Sequence, residues 1–81
     1  MDFPLFSRVA LSVDLPLLGL KAGDVATIVD SHTGGNKRGY SLEFFNAKGE
    51  TIMVTAVEET QIEPLRHDEI FHVRHLHKIA A

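Results

Sequence analysis

The chain has 81 residues, of which 44% are hydrophobic and 23% charged, and this composition is that of one folded domain rather than of a disordered tail. Its formal charge of −3 argues against a surface that binds polyanions throughout, and its lack of cysteine excludes disulfides, thiolate metal sites and cysteine nucleophiles. No apolar run approaches the ~18 residues of a membrane span, and no signal-like start is present. We therefore expect a cytoplasmic protein that does not enter membranes.

The first part of the chain predicts an extended arm followed by a strand. The apolar stretch 1–6 is interrupted by proline, which disfavours a helix there. Over residues 8–13, Val9, Leu11 and Val13 alternate with other residues, as in a strand that buries one face. We expect the core to form on the face that these three side chains share.

Two glycines precede a second predicted strand. Gly19 and Gly23 lie where the backbone is expected to need a positive φ angle. Residues 25–30, which follow them, are rich in β-branched side chains and predict a strand. The polar, glycine-rich stretch 32–39 predicts a flexible loop after that strand.

A β-hairpin is predicted in the second half of the chain. Tyr40, Leu42 and Phe44 alternate with other residues and are expected to point into the core. Residues 46–49 end in a glycine that suits a hairpin turn, and a partner strand is predicted over 51–57.

Opposite orientations are predicted for the side chains of this hairpin. Ile52, Val54 and Ala56 fall on one face of the partner strand, and we expect them to face the core. Phe45 and Met53 fall on the opposite face, so they are expected to point outward. They could then add to a surface that binds another molecule.

Short strands separated by glycine-marked turns predict an all-β domain. At this length, a bent five-stranded SH3-like barrel over residues 7–65 is the simplest arrangement, with one helical turn at 58–61. The remaining residues, 66–81, form what we call the C-terminal segment. We expect this segment to add a strand or a short helix to the barrel and to serve in association.

The C-terminal segment carries several large apolar side chains after a barrel that is already complete. Burial of each side chain is worth ~1.5–3 kcal/mol, so we expect them to be covered by the barrel itself, by a second copy of the chain or by another protein. The predicted interaction residues are Ile70, Phe71, His72, Val73, Arg74, His75, Leu76 and Ile79. Of these, Phe71, Val73, Leu76 and Ile79 are the expected apolar anchors, whereas His72, Arg74 and His75 would set orientation.

Motifs along most of the chain resemble one small family. They are R-V-A-L at 8–11, D-L-P at 14–16, G-L-K-A-G-D-V-A-T-I-V at 19–29, Y-S-L-E-F-F at 40–45 and E-I-F-H-V-R at 69–74. In this order they resemble a small uncharacterised bacterial family of the domain of unknown function 4926 type. The resemblance implies a small β-barrel without an established activity, and it suggests an accessory role of the antitoxin or immunity kind.

The sequence departs from this family at two places, and it also resembles a second one. Ala26 stands where the family usually has glycine, and the loop at 34–39 is longer. The stretch 21–25 is similar to the KOW motif of ribosomal and transcription-elongation barrels. That similarity keeps a nucleic-acid-binding barrel open as an alternative.

The histidines and basic residues are candidates for metal and nucleic-acid binding. His75 and His77 have the spacing of two metal ligands on a strand. A third ligand could come from His67, Asp68 or Glu69 only if the segment folded back, so no metal or other cofactor is expected. A nucleic acid could bind if the basic side chains converged and Tyr40 or Phe45 stacked on a base. These basic residues are Lys37, Arg38, Arg66, Arg74 and Lys78.

No motif in the sequence points to catalysis. None of its serines lies in a G-x-S-x-G context, and its carboxylates near turns are explained by solvation and capping. The sequence therefore predicts a non-enzymatic protein-interaction module. Its expected partner is a second copy, giving a homo-oligomer, or a small protein such as a toxin-like neighbour.

Overall fold

The computed structural model describes residues 2–77 and contains five β-strands. These strands are β1 (Arg8–Leu11), β2 (Val25–Gly34), β3 (Lys37–Phe45), β4 (Thr51–Glu58) and β5 (Ile62–Pro64). The helices in residues 2–77 are two 3₁₀ turns of three residues, Pro16–Leu18 and Glu59–Gln61, and no helix there is long and apolar enough to cross a membrane. The predicted all-β fold is confirmed, as is the helical turn before the last strand.

All five strands belong to one antiparallel sheet with the order β4-β3-β2-β1-β5. The chain passes from β4 through a 3₁₀ turn into β5, which returns to pair with β1. Within residues 2–77, the two edge strands β4 and β5 do not pair with each other, so the sheet is open rather than a closed barrel. This arrangement is compatible with an SH3-like fold.

The core lies on one face of this sheet, and β3 contributes its largest members. Tyr40, Leu42 and Phe44 are all buried, which confirms the alternation predicted from the sequence. The other buried hydrophobic residues are Val9, Ala10, Leu11, Leu20, Ala26, Ile28, Val57 and Ile62. Large β-branched and aromatic side chains thus hold the sheet together.

The first strand is shorter than predicted. It ends at Leu11, and Val13 lies beyond it with 37% of its surface exposed. Ala10 is buried along with Val9 and Leu11, so both faces of β1 are covered. Strict alternation of buried and exposed residues is therefore lost in this central strand.

The prediction of a flexible loop over residues 32–39 is wrong. β2 continues to Gly34 and β3 begins at Lys37, which leaves Gly35 and Asn36 as the turn of a long hairpin. The side chains from 30 to 37 are exposed on both faces of this ribbon. Backbone pairing alone extends the strands, and a sequence without apolar alternation gives no sign of it.

The face predicted for the strand over 51–57 is also wrong. Val54 is 58% exposed and Ala56 is exposed, whereas Val57 is buried. Met53, predicted to point outward, instead packs against the core together with Ile52. The core-facing residues of β4 thus change phase within the strand.

A β-bulge at Ile52 explains this change of phase. Phe44 pairs with Met53, but the next residue, Phe45, pairs with Thr51, so Ile52 is the extra residue on β4. An extra residue lets two consecutive side chains face the same side of a sheet. Phe45 is 42% exposed, as predicted.

The N-terminal arm is extended, as predicted, and docks on β3. The Phe3 backbone N–H donates to the Tyr40 hydroxyl at 3.1 Å, and the two rings meet edge to face with centroids 5.6 Å apart. The contact with Phe3 satisfies the buried Tyr40 hydroxyl. The arm then turns at Phe6, which has a φ angle of 67° and whose backbone N–H donates to the Ile28 carbonyl at 2.7 Å.

The additional strand or short helix predicted for the C-terminal segment is not present in its described part. Residues 65–77 have neither regular structure nor a backbone ladder to the sheet. Their shape depends on side-chain contacts and on one turn, in which the Glu69 N–H donates to the Arg66 carbonyl at 3.2 Å. Ile79, the last predicted interaction residue, lies outside the described residues.

Candidate functional site

Arg74 attaches the C-terminal segment to the turn that precedes β2. Its Nε donates to Asp24 Oδ1 at 2.9 Å and one terminal nitrogen donates to Asp24 Oδ2. The same nitrogen donates to the Gly19 carbonyl at 3.0 Å. The Arg74 and Asp24 side chains are only 30% and 19% exposed, so this two-pronged ion pair is less screened than a surface pair.

The turn prepares Asp24 for this role. Asp24 Oδ2 also accepts a hydrogen bond from the Lys21 backbone N–H at 2.8 Å, which fixes the carboxylate before the arginine arrives. The hydrogen bond with Asp24 raises the pKa of Arg74 above its ordinary value, and this outweighs the lowering by burial. A raised pKa in the folded state stabilises the protein at every pH below the ordinary pKa, and that stability is lost only as pH rises through the raised value. The arginine therefore keeps its charge throughout the neutral range.

Leu76 and Gly19 form a second attachment point two residues further along. Leu76 is partly buried and packs against the hydrophobic core. Gly19 has a φ angle of 72°, and a Cβ atom there would lie 2.6 Å from the His77 carbonyl oxygen and 3.2 Å from Leu76 Cδ1. Glycine is thus needed both for the backbone conformation and for the close approach of the segment.

Three apolar side chains of the attached segment remain in solvent. Ile70 is 91% exposed, Val73 is 81% exposed and Phe71 is 66% exposed. Phe71 lies against the sheet at Arg8, whose guanidinium is 5.6 Å from its ring centroid. We call these three residues the apolar ridge.

An open groove of about 970 Å³ runs between the apolar ridge and the sheet. Its other wall includes Phe45, Ala47 and Ile52, at the turn end of the β3–β4 hairpin. The volume is at the upper end of the range for ligand pockets, and the groove is open to solvent. The site therefore combines protruding apolar side chains with a concave surface that is itself partly apolar.

The predicted interaction residues accordingly divide into two groups. Arg74 and Leu76 hold the segment on its own sheet, whereas the apolar ridge is largely exposed and Phe71 lies against Arg8. His72 and His75 are exposed on the same segment. The sequence reasoning missed Asp24 and Gly19 as the receiving groups, although it identified the turn to which both belong.

The histidines and the basic residues lie in separate surroundings. The rings of His75 and His77 are 6.1 Å apart, and residues 2–77 contain no group of three His, Cys, Asp or Glu side chains that could hold a metal ion. On the β2–β3 hairpin, Lys37 lies 3.4 Å from Glu58, and Arg38 pairs with Asp2. These basic side chains thus each have a carboxylate neighbour.

Comparison with known families gives one match. A family model described as a domain of unknown function (DUF4926) matches residues 5–64. No match was found among curated proteins or among solved structures. The matched range covers the whole sheet but ends before the apolar ridge.

Proposed function

We propose that this chain, which belongs to the DUF4926 family of unknown function, is a non-enzymatic protein-interaction module. It self-associates through the apolar ridge and the adjoining groove. The observation that carries the proposal is the exposure of three large apolar side chains on a segment that is itself attached to the sheet. Burial of each would recover ~1.5–3 kcal/mol, which strongly favours association.

Besides the exposure of the apolar ridge, the attachment of the segment to the sheet also favours binding. An unattached tail would lose much conformational freedom on binding, and that loss would offset the gain from apolar burial. Here Arg74 and Leu76 fix the chain immediately after Val73, and on the other side the chain is held up to Pro64 by β5. The apolar ridge is therefore presented in an arrangement that needs little further ordering.

A second copy of the chain is the occupant that this surface fits best. A two-fold interface uses the same patch on both subunits, so the patch must be complementary to itself. The ridge supplies protruding Ile70 and Val73, and the groove beside it supplies a concave wall with Phe45 and Ile52. The ridge of one copy can thus enter the groove of the other while its own groove receives the second ridge.

A small protein partner, such as a toxin-like neighbour, could use the same groove in place of a second copy. The resemblance to a bacterial family supports an antitoxin-like or immunity-like role and a bacterial origin. A cytoplasmic location stays a prediction. Such a partner would need an exposed apolar segment, because the groove is open to solvent and partly lined by apolar side chains. A chain that remains monomeric alone but pairs with such a partner would replace self-association with this version.

Light scattering of two matched double variants tests the proposal. We expect the unmodified protein to form dimers, and Ile70→Ser with Val73→Ser to weaken the dimer by at least ~100-fold, since each lost contact occurs twice in a two-fold interface. Leu5→Ser with Leu17→Ser is the control, because these residues are 51% and 80% exposed and do not line the groove. A similar loss in both doubles, or a monomer that binds a mixed oligonucleotide at ~0.1 M salt, would contradict the proposal.

A further inference from the structure

A second surface lies at the β4 edge of the sheet, and it shares Ile52 with the groove beside the apolar ridge. β4 pairs with β3 on one side, and in residues 2–77 no strand pairs with its other side. An edge strand presents backbone N–H and C=O groups to which another strand can bind. With eight residues, β4 offers an edge of about 27 Å.

Over residues 53–57, this edge lacks the features that usually prevent strand addition. The opposite edge strand, β5, has only three residues and ends at Pro64, which cannot donate a hydrogen bond. β4, in contrast, has neither charge nor proline over residues 51–57, and most of these residues are β-branched. Its bulge at Ile52 lies near one end and leaves the pairing of Met53 through Glu58 regular.

The two ends of β4 are acidic. Glu50 precedes the strand, and its carboxylate accepts a hydrogen bond from the neutral Asn46 side chain at 2.8 Å, which leaves its charge in place. Glu58 ends the strand and lies 3.4 Å from Lys37, but those side chains are 57% and 80% exposed, so the pair is weak. The edge is therefore apolar in the middle and negative at both ends.

We propose that the β4 edge binds an extended peptide that has a β-branched or apolar centre and basic residues at both ends. The peptide would add to the sheet as a sixth strand, with its backbone paired to β4. Its side chains would cover Val54, which is 58% exposed, on one face and Met53 on the other. Its basic ends would lie near Glu50 and Glu58.

The same charges argue against a second β4 strand as the occupant. In an antiparallel pair of β4 strands centred on Val54, Glu50 of one copy would lie opposite Glu58 of the other at both ends. Like charges directly opposite each other destabilise a strand pair. The edge thus selects a partner of complementary charge.

Binding of synthetic peptides tests the inference. The probe has seven alternating valine and threonine residues between two lysines at each end, and its affinity is measured by fluorescence anisotropy. We expect the version with glutamate in place of lysine to bind at least ~10-fold more weakly, because it loses an exposed ion pair at each end of the peptide. N-methylation of alternate backbone nitrogens on the peptide's pairing edge should abolish binding. Equal affinity of the three peptides would overturn the inference.

Matched variants and chemical-shift mapping locate the site. Glu50→Gln with Glu58→Gln should weaken binding of the lysine-flanked peptide ~10-fold, whereas Glu63→Gln with Asp68→Asn removes the same charge elsewhere and should change it less than about twofold. Amide shifts should change over 51–58, and shifts confined to residues 70–76 would overturn the inference. Val73→Ser should still bind the peptide, so failure of self-association and failure of this inference are distinguishable.

Discussion

Gly19 decides how closely the C-terminal segment approaches the sheet. Its positive φ angle, expected from the sequence, is confirmed, and its missing side chain leaves room for the His77 carbonyl. The sequence could not reveal this second role, because the contact joins residues that are far apart in the chain. The same holds for Asp24, whose place in a turn was visible but whose partner Arg74 was not.

Substitution of Gly19 tests this contact against a matched control. Gly23→Ala changes a glycine that has a φ angle of 93° and no neighbouring atom within 4 Å of the place a Cβ would occupy, so it should cost only the ~1–2 kcal/mol of a left-handed backbone. Gly19→Ala carries the same cost and also displaces the segment, so its loss in urea unfolding should be larger by ~1 kcal/mol or more. Limited proteolysis should then cut 66–77 faster in Gly19→Ala alone. Equal losses in the two variants would show that the contact with His77 does not matter.

At the scale of elements, regular alternation was predictable and interruptions of it were not. The orientations of Tyr40, Leu42 and Phe44 followed from the sequence because β3 has one buried face. The orientation of β4 did not follow, because the bulge at Ile52 depends on the register with β3. A bulge is a property of a pair of strands, so it cannot be predicted from the sequence of one strand.

The phase of β4 is tested by the same substitution at two positions. Val57→Thr buries a hydroxyl in the core, where Val57 is 5% exposed, and should destabilise the fold by ~1–3 kcal/mol. Val54→Thr keeps the β-branched shape at a position that is 58% exposed and should change stability by less than ~0.5 kcal/mol. Chemical denaturation measures both. The reverse order of effects would restore the face predicted from the sequence.

The long hairpin and the C-terminal segment show two further limits of prediction. Residues 32–39 are polar on both sides, so only backbone pairing makes them strands. The C-terminal segment has the composition of a strand, yet its described part finds no ladder partner and is held by Arg74 and Leu76 instead. In both cases the deciding contacts are long-range, and local propensity does not indicate them.

At the scale of the whole molecule, two different surfaces remain available for binding. The apolar ridge and its groove are suited to a second copy, whereas the β4 edge is acidic at both ends and suited to a basic extended peptide. A domain of 81 residues buries a smaller fraction of its surface than a large one, so association can contribute much to its stability. We expect self-association through the apolar ridge to make that contribution.

Sedimentation equilibrium of the unmodified chain over a wide concentration range measures this self-association. The average mass should rise with concentration from 9.0 kDa toward twice that value, and Ile70→Ser with Val73→Ser should hold it at the monomer mass. An unmodified chain that stays at 9.0 kDa at every concentration would contradict self-association through the apolar ridge.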